Sequence, residues 1–242
     1  MPLYVQLKRL LETQVAQGIL MPHSRIPSER ELSDQYTISR MTARRALAEM
    51  VQEGRLYTST GKGTFVAEPK ISQSVQALTS FTEDMHARGL TPSTRVLRRE
   101  LIPASDMVAQ SLRIHAGDTV FRLERLRLAN GEPLALENAY LSFPGVEFLE
   151  GHTLEGSLYA VLQEKFDLVP VEAIQEFEAR LPRPQERKLL KMSEGEPVLK
   201  LQRTTFNIAH QPFEVVQSIY RGDRYRFVAK LIRESANGHR TD

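Results

Sequence analysis

The chain has 242 residues, ample for two domains, and its 41% hydrophobic and 26% charged residues are globular proportions that exclude a disordered polyampholyte. The absence of cysteine excludes disulfides, thiolate metal sites and cysteine nucleophiles, and no run of about 18 apolar residues is present to span a membrane. The net charge of +2 hides an asymmetry: residues 1–67 carry 9 Lys+Arg against 6 Asp+Glu, whereas the remainder carries 23 against 24, so a small basic module precedes a larger near-neutral one. Nucleic-acid binding coupled to a second task fits that division, because phosphate neutralisation needs clustered cations.

In chain order, Leu3, Leu7 and Leu10, with Tyr4 and Leu11 beside them, recur at helical spacing, and Gly18 supplies a stop. The start is broken by polar residues too early for a signal-peptide core, so a cytoplasmic location is expected. Pro27-Ser28-Glu29-Arg30-Glu31 offers a capping box for a second helix. Ser39 caps a third, whose Ala43, Ala46, Leu47 and Met50 share one face and which ends at Gly54. Its opposite side displays Met41, Arg45 and Ala48, with Arg40 and Arg44 on one flank and Thr42 on the other. Such a basic face is either a solvated surface or a helix that enters a major groove, where Arg reads guanine edges. Two short strands, 55–57 and 64–66, then flank residues 58–63, a hairpin with Gly61, Lys62 and Gly63 at its tip. Its glycines allow close backbone approach to a phosphate or a minor groove.

Ile26-Pro27-Ser28-Glu29-Arg30-Glu31-Leu32, Ser39 to Leu47, Glu53-Gly54 and Gly61 to Val66 together resemble the winged helix-turn-helix of the GntR family of bacterial transcription regulators. Met41 departs from the family's pattern, where a small or hydroxyl residue is commoner. The resemblance implies binding to double-stranded operator DNA as a homodimer. In that reading Arg40 and Arg44 read bases, Ser39, Thr42 and Arg30 hold phosphates, and Gly61 and Lys62 lie at the minor groove.

Residues 68–74 are polar, contain Pro69 and show no helical face, and read as a linker to a second domain over 75–234, with 235–242 a tail. An internal similarity organises that domain: Leu112, Gly117, Val120, Leu123 and Arg125 correspond at constant offset to Leu190, Gly195, Val198, Leu201 and Arg203. Each run leads on to a Pro-apolar pair, Pro133-Leu134 and Pro212-Phe213, and Asn130-Gly131 is a strong hairpin turn. A repeated helix, hairpin and strand unit with an antiparallel sheet is expected, giving an α+β fold for the chain. Phe121, Leu123, Arg125 and Arg127 alternate onto one face if their strand is uninterrupted, which places two arginines among apolar residues. Either a bulge turns them outward or an anion meets them. Ser157 caps a helix carrying Leu158, Val161, Leu162 and Phe166, a position that serves as a plain cap or as an anion site. Glu214, between Phe213 and Val215, reads equally as an exposed strand residue.

Leu78-Thr79-Ser80-Phe81-Thr82-Glu83-Asp84-Met85, Arg125-Leu126-Arg127 with Asn130-Gly131-Glu132-Pro133, and Tyr220 to Tyr225 resemble the UTRA effector domain of the HutC subfamily, whose fold is similar to that of a chorismate lyase. The likeness is strongest to regulators of N-acetylglucosamine use. It implies a hexosamine phosphate effector, glucosamine-6-phosphate or its N-acetyl form. Phe81 belongs to the effector set, Thr82, Arg125, Arg127, Ser157 and Tyr159 take the phosphate, and Glu137, Glu214 and Tyr220 face the sugar. The resemblance equally accommodates another sugar phosphate or small anion, and a dimeric DNA binder without a ligand is the remaining non-enzymatic alternative. An enzyme is disfavoured: the six histidines include no pair at three- or four-residue spacing, and no nucleophile elbow, Walker loop or dinucleotide motif occurs. No cofactor or metal is expected, only the small-molecule effector.

Overall fold

The computed structural model describes residues 1–59 and 61–231, and the chain divides after Lys70 into two units. The expected tail, 235–242, and the last residues of the expected second domain, 232–234, lie outside the described residues, as does Thr60 in the hairpin.

In the first unit, α1 (Leu3–Ala16), α2 (Glu29–Tyr36) and α3 (Arg40–Gln52) precede an antiparallel hairpin of β1 (Leu56–Ser59) and β2 (Gly63–Val66). The α1 face differs from the expectation: Leu7 and Leu11 are buried, whereas Leu3 and Leu10 are exposed. Tyr4 and Val15 pack beside the buried pair instead, because the stripe toward α3 runs through i, i+3, i+7 and i+11 from Tyr4. The capping box of α2 is present, with the Ser28 hydroxyl accepting from Glu31 N and Glu31 Oε2 accepting from Ser28 N at 2.6 Å. Ala43, Ala46, Leu47 and Met50 of α3 are buried against Leu7, Leu11, Leu32 and Val66. The hairpin tip is shorter than expected, since Ser59 pairs with Gly63.

The second unit begins four residues before the expected boundary. Ile71–Ser74 of the expected linker form a strand, β3, which pairs in parallel with the later β10 (Tyr225–Val228). A four-residue strand with one apolar side chain carries too little periodicity to be told from a connector, and its pairing partner lies about 150 residues away. Next come α4 (Phe81–Ala87), β4 (Pro92–Pro103), α5 (Asp106–Leu112), β5 (Thr119–Ala129) and β6 (Glu132–Leu141). A 3-10 turn (Val146–Gly151), α6 (Leu158–Phe166), β7 (Glu172–Arg180), α7 (Pro184–Leu189), β8 (Val198–Phe206) and β9 (Pro212–Arg221) complete the unit.

Six strands form one antiparallel sheet in the order β4-β5-β6-β9-β8-β7. That order explains the internal repeat and corrects its extent. Each copy is strand, helix, hairpin: β4-α5-β5-β6 and β7-α7-β8-β9. The leading strands went unread because they fall outside the matching residues. The copies meet through β6 and β9, where Asn138 lies opposite Gln217, its own counterpart in the alignment set by Pro133 and Pro212. An approximate two-fold axis therefore passes through that pair. Gly117 and Gly195, with φ of 90° and 83°, turn each helix back into its strand.

One sheet face is covered by α5 and α7, which bury Val120, Leu126, Leu136, Val198, Val215 and Ile219. The other has two separate covers. The 3-10 turn and α6 lie over Phe121, Leu123, Leu141 and Phe213, and α4 with β10 lies over Ala135, Leu201 and Tyr220. Between those covers the second face is polar.

Candidate functional site

In the first unit, Ser39 caps α3 by accepting from Thr42 N at 3.1 Å, and its hydroxyl also bonds Thr42 Oγ1 at 2.8 Å. Arg40, Met41, Arg44, Arg45 and Ala48 are exposed on the side of α3 opposite its apolar stripe. The guanidinium groups are held to different degrees. Arg44 Nε donates to Glu29 at 3.0 Å. Arg45 donates to Glu49 at 3.2 Å and lies over the Tyr4 ring, 3.9 Å from its centroid. Arg30 faces Asp34 at 3.8 Å, and Arg40 has no partner among the described residues. Gly61 and Lys62 are exposed at the hairpin tip, and Gly61, at φ 74°, takes the left-handed conformation there without strain. A cleft of about 560 Å³ opens between α3, the start of α2 and the hairpin, lined by Arg25, Arg44, Leu47, Ala48 and Thr64 among others. It is an open groove without converging buried polar groups, so its size alone does not make it a ligand site.

In the second unit, the polar zone between the two covers is a cavity. The β5 strand carries no extra residue from Phe121 to Arg127: the two register shifts along it place the extra residue in a neighbour, Leu97 in β4 and Leu134 in β6, so no bulge of β5 turns the arginines outward. Arg125 and Arg127 are 4% and 2% exposed. Arg125 meets an anion of its own chain: opposite it on β6, Glu137 accepts from its Nε at 2.9 Å and from its Nη2. Burial works to raise the Glu137 carboxyl, but Arg125, Arg127 and Arg203 hold it down to about 2. Glu137 is therefore a carboxylate with one oxygen committed to Arg125.

Arg127 is less well satisfied. Its Nη2 donates to Thr82 Oγ1 at 3.1 Å and its guanidinium lies 4.5 Å from the Phe81 ring centroid. Nε and Nη1 are buried without a hydrogen-bond partner. Burial lowers its pKa to about 10, against the raising effect of Glu137 and with the help of Arg125, so it remains a cation at neutral pH. A buried guanidinium with two unused donors is a site for an acceptor, in particular a charged one.

Across the cavity, Glu214 of β9 is 2% exposed, which excludes the exposed-strand reading. Its Oε2 accepts from the Tyr159 hydroxyl at 2.9 Å and from Thr205 Oγ1 at 2.8 Å. Burial raises its pKa, opposed by Arg203 and by the two hydroxyl donors. The other expected residues divide. Phe81 and Tyr159 line the cavity with the two arginines and two glutamates. Ser157 does not; its hydroxyl is used as the cap of α6, accepting from Ala160 N at 3.3 Å. Tyr220 sits under α4 with its ring 4.5 Å from that of Tyr225, and Thr82 bonds Arg127 from outside the lining. Arg203, Thr205 and Ser80 were not anticipated. The alignment of Arg203 with Arg125 in the internal repeat was the signal for the first, whereas Thr205 and Ser80 gave none. The cavity has room for about 20 Å³, one water-sized space, with Phe81 and Tyr159 among its lining residues.

Comparison with known proteins identifies the chain. Residues 87–226 match the UTRA domain and residues 3–66 match the bacterial regulatory proteins of the gntR family. The chain is 40% identical to the HTH-type transcriptional repressor NagR of Bacillus subtilis (strain 168) over 97% of its own length and 96% of that protein's. The chain belongs to the GntR family. It is also 33% identical to the histidine utilization repressor of Pseudomonas putida, over 95% of this chain and 92% of that one. In three dimensions it is similar to PhnF of Mycobacterium smegmatis, with a TM-score of 0.67 and 28% identity, over 96% of this chain and all of that one. As a GntR regulator of the HutC type it is a DNA-binding transcriptional repressor, not an enzyme, and the α+β architecture of a winged helix-turn-helix followed by an antiparallel UTRA sheet is that of its relatives. No helix among the described residues is long and apolar enough to cross a membrane.

Proposed function

We propose that the protein represses genes for the uptake and breakdown of an amino sugar, that it binds operator DNA as a homodimer in the cytoplasm, and that a hexosamine phosphate in the second unit lowers its affinity for the operator. One observation carries the effector reading: Arg127, buried on the sheet face, keeps two donors without partners in a cavity that Arg125, Arg203, Glu137, Glu214 and Tyr159 also line. A phosphate suits Arg127, with Thr82 beside it as a further donor, and sugar hydroxyls suit the carboxylates. Arg125 is a secondary contact, since each of its three nitrogens already donates, two to Glu137 and one to the Leu154 carbonyl. The cavity is too small for a hexosamine phosphate as it stands, so binding requires part of its lining to withdraw. The resemblance to a repressor named NagR supports an amino sugar over other phosphorylated sugars.

For the first unit, Arg40, Arg44 and Arg45 are proposed to face DNA on α3, with Arg40 and Arg44 reading bases. Ser39, Thr42 and Arg30 lie at the backbone, and Gly61 and Lys62 at the minor groove. Calorimetry with glucosamine-6-phosphate, N-acetylglucosamine-6-phosphate and inorganic phosphate tests the effector reading. A hexosamine phosphate is expected to bind tighter than phosphate by a factor of roughly 100 or more and to release operator DNA, and Arg127→Ala is expected to abolish both. Absence of binding by all three ligands, or release that survives Arg127→Ala, would overturn it.

A further inference from the structure

The internal two-fold brings a third guanidinium to the effector cavity. Arg203 of β8 is the counterpart of Arg125 of β5, and both point to the same face of the sheet. Their surroundings differ at one rung. Opposite Arg125 stands Glu137; opposite Arg203 stands Val216, the residue that takes the place of Glu137 in the second copy. Arg203 thus lacks the cross-strand carboxylate that satisfies its twin. Its Nε is buried without a hydrogen-bond partner, and its guanidinium lies beneath the Tyr159 ring, 5.9 Å from the centroid. Glu214, two residues along β9 from Val216, is close enough to act on it electrostatically but is hydrogen-bonded to Tyr159 and Thr205.

Three guanidinium groups therefore share the cavity with two carboxylates, and the excess positive charge is at Arg127 and Arg203 rather than at Arg125. The two carboxylates are each half used. Hydrogen bonds to Glu137 converge on Oε1 and those to Glu214 on Oε2. Glu137, Arg203 and Glu214 thus offer acceptor, donor and acceptor. A hydroxyl group both donates and accepts, so a run of hydroxyls matches that alternation, whereas an apolar chain leaves all three groups desolvated and unmatched.

We propose that Arg203 is a specificity residue of the cavity: it binds the polyhydroxylated end of a phosphorylated ligand while Arg127 binds the phosphate. The assignment rests on the effector reading above and adds the part of the site that separates a sugar phosphate from any other phosphomonoester. Arg203 is expected to contribute nothing to a phosphate whose remaining part is apolar.

Calorimetry on the full chain tests this with two probes, glucosamine-6-phosphate and n-butyl phosphate. Wild-type protein is expected to prefer the sugar phosphate by roughly 100-fold or more, as two or three satisfied polar contacts provide. In Arg203→Gln the preference should fall at least about tenfold with butyl phosphate binding unchanged, while Arg127→Gln should weaken both probes together. Arg203→Lys keeps the charge and loses the Nε donor, so it should also lower the preference, by a smaller factor, and it carries the test if Arg203→Gln does not fold. An unchanged preference in the Arg203 variants, or equal weakening of both probes, overturns this inference and leaves the effector reading standing. Failure of the wild-type protein to bind either probe overturns both.

Discussion

At the residue scale, Glu137 and Glu214 are two carboxylates in one cavity with opposite tendencies. Glu137 is paired to Arg125 and titrates at about 2, below its ordinary 4.5, so its pairing adds stability above pH 4.5 that disappears as the pH falls through 2. Glu214 is shifted upward by burial, so its protonated form is favoured by folding and its ionisation costs stability as the pH rises above 4.5. Glu137→Gln is accordingly expected to destabilise the protein by about 3 to 5 kcal/mol at neutral pH, because it strands a buried guanidinium. Glu214→Gln keeps acceptors for Tyr159 and Thr205 and removes an ionisation that burial opposes, so it should cost less than about 1 kcal/mol. Urea unfolding of both variants at pH 7 checks the contrast; equal losses would contradict it. In the first unit, Arg44 is tethered by Glu29 at 3.0 Å. Arg44→Ala should cost about 1 to 3 kcal/mol on operator DNA with little change on random DNA. Lys62→Ala should weaken all sequences evenly and flatten the salt dependence, as titrations at two salt concentrations would reveal.

At the scale of elements, the site depends on how α4 is fastened. Ser80 and Glu83 cap its start reciprocally, and Asp84, 6% exposed, accepts from Arg88 and from the Tyr225 hydroxyl. Arg88 also donates to the Ser72 carbonyl on β3, and the Tyr225 hydroxyl oxygen lies 2.9 Å from the Gln73 side chain. Phe81 and Thr82, which meet Arg127, are therefore carried by a helix bound to the first strand of the unit. Just after β9, a Cβ on Gly222 would lie 2.7 Å from the Pro197 carbonyl oxygen, a contact that backbone cannot relax cheaply. Gly222→Ala is expected to lower stability by about 1 to 3 kcal/mol, visible as a reduced melting temperature. An unchanged melting temperature would show that the turn after β9 yields.

At the scale of the whole molecule, repression relieved by a ligand requires that binding in the second unit and operator binding in the first be linked, and linkage is reciprocal. Whatever factor glucosamine-6-phosphate takes from operator affinity, saturating operator DNA must take from the affinity for glucosamine-6-phosphate. Measuring both by calorimetry should return equal factors; a ligand affinity indifferent to DNA would mean that the two units act independently. Ligand at 100 times its Kd should stabilise the binding unit by about 2.7 kcal/mol.

The residues alone settled those parts that depend on local chemistry. The capping serines 28, 39 and 157, the apolar stripe of α3, the glycine-tipped hairpin and the repeat all follow from spacing over a few to a few dozen residues, where helix and strand periods are legible. Alternation along β5 put Arg125 and Arg127 on one face with Phe121 and Leu123, and left a bulge or an anion as the two outcomes. What met them there was decided by tertiary structure. Glu137 comes opposite Arg125, Val216 opposite Arg203, and Ile71–Ser74 beside β10 because strand pairing joins residues far apart in the chain. A one-residue change of register would exchange every one of those neighbours. The sequence thus placed Arg125 and Arg127 in alternation with apolar residues of one strand. Only the folded sheet decided which of them are neutralised by the chain itself and which remain for a ligand.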